Sequence, residues 1–451
     1  MIMFDQSFSE QNLFKIYSSE NNKGNNLAVR FFPNVSIEYE YINRVRKLLR
    51  RTYSRKRFYS RIFFENRVLF LYRLLRHFKE RKRSAVRQYL KIISNNISNR
   101  SFNFVISKSP NKVNGKDVYV TGSSADSFFS EKQIQRNIKY TYGVKQADRD
   151  LIIPQLRSVL DDSFPKIIIK TDIKSFYESI NRDVLLKKLN ESPILSLTTR
   201  KLIARLFKSY ESVSGATQGI PRGVGVSAYL SELYLKKFDL EMESLPNLIY
   251  YARYVDDIVL VLTPQAGNAA QDFLINIESQ LEKECLELNK DGDKTKVLDL
   301  SNGYANYSFD YLGYRFNYSG GRIRLELSSK KIIKYQKRIL DVINAYKRNV
   351  RKQPKKARRE FLLRIKFLTY NTKLSNNKGN AVVGIYNSNQ WITNSNCLEV
   401  LDRKLIGLSR SLASPSLEAR ISKYSFKKGF DERLFANFTA AEFTTITKVW
   451  S

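Results

Sequence analysis

Residues 248–262 hold two β-forming runs, Leu248-Ile-Tyr-Tyr-Ala-Arg253 and Ile258-Val-Leu-Val-Leu262, on either side of Tyr254-Val255-Asp256-Asp257. A short centre between two such runs reads as a hairpin with the paired aspartates in or beside its turn. Adjacent carboxylates at a tight turn repel each other unless a cation neutralises them. An ordinary turn tolerates Asp, but strands this apolar make an exposed, idle turn the weaker reading.

Two further segments carry chemistry of their own. Lys166-Ile-Ile-Ile-Lys170-Thr-Asp172 is a β-branched run ending in an acid. It reads as a buried strand whose last residue emerges at a sheet edge, where a rigid backbone would hold a metal ligand. Between the two acid sites lies Ala216-Thr-Gln218-Gly219-Ile220-Pro221-Arg222-Gly223, a Gly- and Pro-punctuated loop leading into a helix from about Val226 to Leu240. Glycines let backbone approach a flat ligand closely, and a Gln side chain can follow a base or a sugar.

Residue counts narrow the chemistry. His77 is the only histidine, and Cys285 and Cys397 are the only cysteines. A structural zinc site needs about four Cys or His ligands, and a Ser-His-Asp triad needs a positioned His. Carboxylates are left to hold any catalytic metal, which favours magnesium, with manganese as the other hard cation. The low cysteine count also suggests a cytosolic chain. Lys and Arg number 78 against 43 Asp and Glu, a net charge of +35. That surplus calls for a polyanion or a membrane surface. No stretch approaches the ~20 apolar residues of a membrane helix, and the first residues lack a signal-peptide layout, so nucleic acid is the expected partner.

The basic residues are concentrated. Between Arg44 and Lys91 there are 18 Lys and Arg against two acids, Glu65 and Glu80, with aromatics interleaved. Leu69, Tyr72, Leu75 and Phe78 recur at spacings of three to four and predict an amphipathic helix with the aromatics serving mainly as packing. Upstream, Asn21-Asn22-Lys23-Gly24-Asn25-Asn26 reads as a loop. Helical periodicity covers Asp148 to Leu160, about Ala269 to Leu288, and the basic segment from Lys330 onward. After about Asn371 the chain mixes turns with short apolar runs and suggests no role.

In this order the three acid and glycine segments resemble motifs A, B and C of reverse transcriptases. Asp172 stands with an aromatic five residues on, then come Gln218-Gly219 and Tyr254-Val255-Asp256-Asp257. Asn289-Lys-Asp-Gly-Asp-Lys294-Thr295-Lys296 resembles motif D. Phe309-Asp-Tyr-Leu312-Gly313-Tyr314 is similar to motif E, the primer grip. Asp148-Arg149, leading into Ile152, Ile153 and Leu156, is similar to the fingers segment before motif A. Within motif B, Gly-Ile-Pro-Arg-Gly-x-x-x-Ser-x-x-Leu-Ser-Glu departs from the Ser-Pro usual in retrons and resembles bacterial abortive-infection and other defence-associated reverse transcriptases.

The resemblance implies an α+β right-hand polymerase with fingers, a ferredoxin-like palm and a helical thumb. Its expected segments are an N-terminal piece (1–40), basic fingers (41–165), a palm with finger insertions (166–320), and a thumb with a C-terminal extension (321–451). It implies two magnesium ions on Asp172 and Asp256, with Asp257 secondary, and Lys294 as proton donor or triphosphate contact. Ile173, Tyr177, Gln218, Gly219 and Arg149 would face the incoming nucleotide, Tyr177 as the ring that excludes a 2′-hydroxyl. Tyr254, Leu312, Gly313 and Arg222 would lie along primer and template. The expected partners are an RNA template, in some such enzymes a dedicated non-coding RNA, with deoxynucleotides and a DNA product. A second protein or a homo-oligomer stays open. Protein-primed or template-independent synthesis on the same site, an RNA polymerase, and a non-catalytic nucleic-acid scaffold are the competing classes.

Overall fold

The computed structural model describes residues 4–450, apart from residues 34, 114, 192–193, 266–268, 302–305, 375–380 and 413. The chain divides into two compact units, each built from two stretches of sequence. One comprises Met1–Lys145 and Tyr177–Tyr234, the other Gln146–Phe176 and Leu235–Ser451.

The first unit opens with α1 (Glu10–Asn22), α2 (Leu27–Phe31), α3 (Val35–Ser54) and α4 (Arg61–Ser98). Ser9 and Ser60 cap the first turns of α1 and α4 by accepting from backbone N–H groups. The Asn-rich stretch expected as a loop is shorter than that. Asn21 and Asn22 finish α1, and Asn26 caps α2 through Val29 N. Two short antiparallel strands follow, β1 (Ile106–Lys108) and β2 (Tyr119–Thr121), then α5 (Ala125–Tyr142), ended by Gly143 in the left-handed region.

The predicted amphipathic helix is present as α4, but its buried stripe is out of phase with the expected one. Leu71 and Leu75 pack against Ile42, Val45 and Leu49 of α3, with Phe78 partly covered. Leu69 and Tyr72 stand 51% and 50% exposed. At 100° per residue Leu69 lies ~160° from Leu71, so one face cannot bury both.

The chain then supplies the first pieces of the second unit, α6 (Arg149–Leu160) and β3 (Ile167–Asp172), and crosses back to the first unit within the single turn α7 (Phe176–Ser179). There it forms α8 (Arg182–Glu191), α9 (Leu197–Ser214) and α10 (Gly225–Tyr234). Buried Asn137 of α5 donates to Thr199 Oγ1 at 2.8 Å, tying α5 to α9.

The second unit resumes with α11 (Lys236–Glu243), β4 (Leu248–Tyr254), β5 (Asp257–Leu262), α12 (Ala270–Lys283) and β6 (Lys296–Asp299). α12 stops five residues short of the expected Leu288. The four strands form an antiparallel sheet in the order β4-β5-β3-β6. β3 is therefore an inner strand, and Asp172 emerges at its end rather than at the edge of the sheet. Every residue of β3 is buried, as the unbroken apolar run implies. Ile168, Ala252, Val259 and Val261 face Ile152, Ile153 and Leu156 of α6, while α11 and α12 lie against β4 and β6.

A second antiparallel sheet follows: β7 (Tyr307–Tyr311), β8 (Tyr314–Ser319) and β9 (Arg322–Leu327). Its buried positions alternate, and Tyr307 stacks on Tyr318 and Phe309 on Phe316 across the β7–β8 pair. Helices α13 (Ser329–Asn349) and α14 (Pro354–Thr369) precede a short strand pair, β10 (Asn371–Lys373) and β11 (Val382–Gly384). Then come α15 (Glu399–Arg410), α16 (Pro415–Ile421), α17 (Phe426–Asp431) and α18 (Ala440–Thr447). The segment after Asn371, whose short apolar runs suggested no role, is part of the main core. Leu398, Leu401, Leu405, Leu417, Ile421 and Phe426 share one apolar cluster with Phe316, Leu325 and Phe361. At Gly429 an added Cβ would lie 1.9 Å from Thr369 O, so only glycine lets α17 sit that close to α14.

Candidate active site

The β3–β5 pairing sets Asp172 opposite Asp257, and the two-residue turn Val255-Asp256 brings the third acid to the same end of the sheet. Ile173 N donates to Asp256 O at 3.1 Å, fastening the turn to the continuation of β3. One carboxylate oxygen from each of Asp172, Asp256 and Asp257 lies within 4.8 Å of the others. Val255 makes the turn with φ at 61°. A β-branched residue reaches that region only under strain, which tight packing around the turn sustains.

That packing is an ion pair missing from the sequence reading. Arg253, 8% exposed, donates from Nε and Nη2 to both oxygens of Asp239 at 2.7 and 2.6 Å, and from Nη1 to Val255 O at 2.9 Å. Tyr251 adds a bond to Asp239 Oδ1 at 2.6 Å. A planar guanidinium held on both sides fixes the turn's carbonyl, and with it the position of Asp256.

Asp172 is held from its other side by motif D. Its oxygens accept from Lys294 Nζ at 2.7 Å and Asn289 Nδ2 at 3.1 Å, and its carbonyl accepts from Asn289 N at 2.8 Å. Buried Lys170 reaches Lys294 O at 2.7 Å, and the hydroxyls of Thr171 and Thr295 meet at 2.7 Å. Burial, reinforced by the charge of Asp256, pushes Asp257 up to about 6 despite Lys170 nearby. Burial also pulls the Lys170 ammonium down, opposed by Asp257 and Asp172. For Lys294 burial pulls the same way, but the hydrogen bond to Asp172 and the three negative charges prevail, and its ammonium is raised.

Burial first and the neighbouring carboxylate second disfavour the ionised form of Asp257, and a cation held among the three acids would offset both. Oxygen-only donors at this spacing suit a hard divalent cation. The residues present therefore fit the magnesium the sequence implies.

Motif E joins this cluster from below. Tyr311 of β7 donates its hydroxyl to Asp257 O at 3.3 Å, and Leu312 and Gly313 form the β7–β8 turn at φ 47° and 82°. Tyr254 ends β4, half-buried and paired with Asp257. Arg149 donates to Tyr314 Oη at 3.1 Å and Ser388 O at 2.9 Å, joining motif E to the C-terminal segment. Lys331 reaches the same Ser388 carbonyl.

Tyr177, Gln218, Gly219 and Arg222 belong to the other unit and form a cluster of their own. Phe176 is the core residue of its turn, 1% exposed, whereas Tyr177 is half-buried with the Arg222 guanidinium 4.8 Å from its ring centre. Arg222 pairs with Glu178 at 3.0 and 3.2 Å, and Lys116 with the same carboxylate at 2.9 Å. Burial would raise Glu178, but those two cations hold it below its usual value. Gly219 has φ at 79°, and a Cβ there would meet Glu178 O at 2.8 Å. Gln218 is exposed, and its carbonyl is fixed by Arg182. Arg182, 5% exposed, donates to the carbonyls of Gly219, Ala216 and Gln218 at 2.6, 2.8 and 2.8 Å. It organises the whole glycine loop, and its only sequence signal is a cation within an otherwise structural stretch.

Residues 86–316, just over half of the chain, match the family described as reverse transcriptase (RNA-dependent DNA polymerase). Among curated proteins none matches the chain. Solved structures similar to it include apo telomerase from Candida tropicalis lacking its C-terminal domain, at 14% identity and TM-score 0.35, covering 51% of this chain and 56% of that one. Telomerase from Candida albicans in complex with a fragment of telomeric RNA, at 14% identity and TM-score 0.35, covers 80% and 66%. An RdRp complex, at 10% identity and TM-score 0.31, covers 67% and 29%. The chain thus spans about half to two thirds of the length of those two telomerases. No helix among the described residues is long and apolar enough to cross a membrane. With the three acids, the glycine loop and the motif E residues 309–314 all inside the matched segment, the chain belongs to the reverse transcriptase family.

Proposed function

We propose that the chain is an RNA-directed DNA polymerase that adds deoxynucleotides to a 3′-hydroxyl, acting in bacterial defence on an associated RNA. The observation that carries the catalytic reading is the cluster of Asp172, Asp256 and Asp257, with oxygens within 4.8 Å of one another at the end of a rigid sheet. In this reading residues 41–165 are the basic fingers, residues 166–320 the palm with its finger insertions, and residues 321–451 the thumb and extension. Asp172 and Asp256 are the main magnesium ligands, with Asp257 beside them. When bound, the two ions activate the attacking oxygen and stabilise the leaving one.

The protein's own groups supply position and charge. Arg253 and Asn289 keep the acids from turning away, which a shared cation site requires. Lys294, raised and therefore protonated at neutral pH, offers an ammonium for the triphosphate. The Tyr177 ring, steadied under Arg222, is the sugar gate that selects deoxynucleotides. Motif B's Gly-Ile-Pro-Arg-Gly pattern supports placement among the defence-associated enzymes.

The test is extension of an annealed primer on RNA, with deoxynucleotides and ribonucleotides supplied separately. Asp256→Asn should abolish synthesis and leave the melting temperature close to wild type, and normal activity in that variant would remove the assignment. Tyr177→Ala should admit ribonucleotides, and unchanged sugar selection would return Tyr177 to a structural role. Reactions without template, or without primer, separate template-independent and protein-primed synthesis. No incorporation under any condition would leave the scaffold class.

A further inference from the structure

The α3–α4 hairpin is more basic, and leaves more apolar surface in water, than the proposed chemistry requires. Its own core is small: Ile42, Val45 and Leu49 against Leu71 and Leu75. Outside that seam Ile62 is 74% exposed, Phe58 70%, Phe70 63%, and Tyr53, Phe63 and Tyr72 about half. Glu65 and Glu80 are occupied by Arg61 and Arg76 of the same helix. Among the described residues no carboxylate forms an ion pair with Arg46, Lys47, Arg50, Arg67, Arg73 or Lys79. Most of the hairpin, residues 35–85, lies before the segment that matches the reverse transcriptase family.

The distribution of these side chains narrows the class of partner. Phosphates would account for the cations but leave the rings in water without purpose. A lipid surface takes a helix whose apolar residues are gathered on one side and whose cations are on the other. Around the exposed arc of α4 the two kinds alternate instead. At 100° per residue, Phe70, Arg73, Leu69, Arg76 and Tyr72 follow one another from edge to edge. Guanidinium groups already sit beside rings, Arg57 4.9 Å from Phe58 and Arg67 6.0 Å from Phe63. A second copy of the chain would bring two strongly positive faces together. Flat apolar rings set among cations match a strand that carries phosphates and unpaired bases at once.

We propose that the outer face of the α3–α4 hairpin is a docking site for an unpaired stretch of RNA. Its phosphates are held by arginines such as Arg67 and Arg73, and its bases stack on Phe58, Phe63, Phe70 and Tyr72. The choice of RNA rests on the RNA-copying reading above; the charge and ring pattern does not.

The experiment uses the full chain with a short labelled RNA strand free of self-pairing, its fully paired RNA duplex, DNA of the same sequence, and vesicles of anionic phospholipid. All four are titrated across a salt series. Phe58→Ala with Phe70→Ala should weaken binding of the single strand about tenfold per ring. Duplex binding and the salt slope should stay as in the wild type. Arg67→Gln with Arg73→Gln should weaken strand and duplex alike, and should flatten the single-strand salt slope by roughly 0.7 per charge removed. All four side chains are exposed, so circular dichroism should show wild-type folding.

Equal binding of the single strand by wild type and the ring variant would overturn the proposal. So would preference for DNA over RNA, or ring-dependent binding to vesicles but not to RNA. Primer extension, measured in parallel, keeps the two readings apart. Normal extension with ring-independent binding removes the docking site and spares the polymerase, whereas ring-dependent RNA binding without extension does the reverse.

Discussion

Asp257 carries the clearest single-residue consequence. Its folded value of about 6 lies above the ~3.9 of an unfolded aspartate. Without a cation the native state therefore holds this proton more tightly than the unfolded chain. The associated stability is complete below pH ~4 and is lost as the pH rises through 6. A divalent ion reverses this preference, because it binds the ionised form and competes with the proton. Magnesium should raise the melting temperature strongly at pH 7.5 and little at pH 5. Chelation at pH 7.5 should cancel the gain. Asp257→Asn should melt higher than wild type at pH 7.5 without magnesium and respond weakly to it. A magnesium shift of the same size at both pH values would contradict the assignment of this carboxylate to the metal site.

At the scale of elements, the glycine loop depends on one side chain. Arg182→Ala would leave three inward-facing carbonyls without their donor, at a cost of about 1–3 kcal/mol for the first and less as the loop relaxes. Urea unfolding should show that loss. Primer extension should show a raised KM for deoxynucleotides with a smaller change in kcat, since the loop would be displaced while the acids stay in place. Arg182→Lys should not rescue it, because one ammonium cannot span carbonyls served by a planar fork. Lys331 of α13 gives a second handle. Burial, with Arg149 close by, pushes it down to about 7. Stability should therefore rise as the pH climbs from 7 toward 10, and Lys331→Met should remove that rise from thermal melts.

The elements around the acids were legible in the sequence for a definite reason. β3, β4 and β5 are dense in β-branched and aromatic residues, and the acid turn falls between two such runs. The clamps were not legible. A buried arginine is spelled like a surface one, and only the folded chain shows that Arg182 faces three carbonyls and Arg253 faces Asp239. The α4 stripe was misread because its exposed face is nearly as apolar as its buried one, so two phases of the same period compete. Of the helices after Asn371, only α15, at twelve residues, is long enough to show its period in sequence. α16 and α17 span seven and six residues, too few for a 3.6-residue period to declare itself.

Across the whole molecule, the C-terminal segment is structural support for the sheet that carries motif E. Leu398, Leu401, Leu405, Leu417, Ile421 and Phe426 are at most 1% exposed and pack into the same cluster as β7–β9. At ~2 kcal/mol for each buried side chain, the six contribute on the order of 12 kcal/mol, comparable to the whole stability of a typical domain. A chain ending at Thr369 should be insoluble or molten. The milder Leu401→Ala should lower stability by about 2–5 kcal/mol. If Leu401→Ala melts like wild type, the segment is an appendage instead.

The order of strands in the sheet sets a timetable for the newborn chain. β3 leaves the ribosome first, yet both its neighbours, β5 and β6, are encoded far downstream, beyond the entire 177–234 excursion. At ~5–20 residues per second of synthesis, several seconds pass before Asp172 can meet Asp256 and Asp257. During that interval a bare Ile167-Ile-Ile strand needs shelter, and the nascent protein has not yet assembled its cluster of three acids.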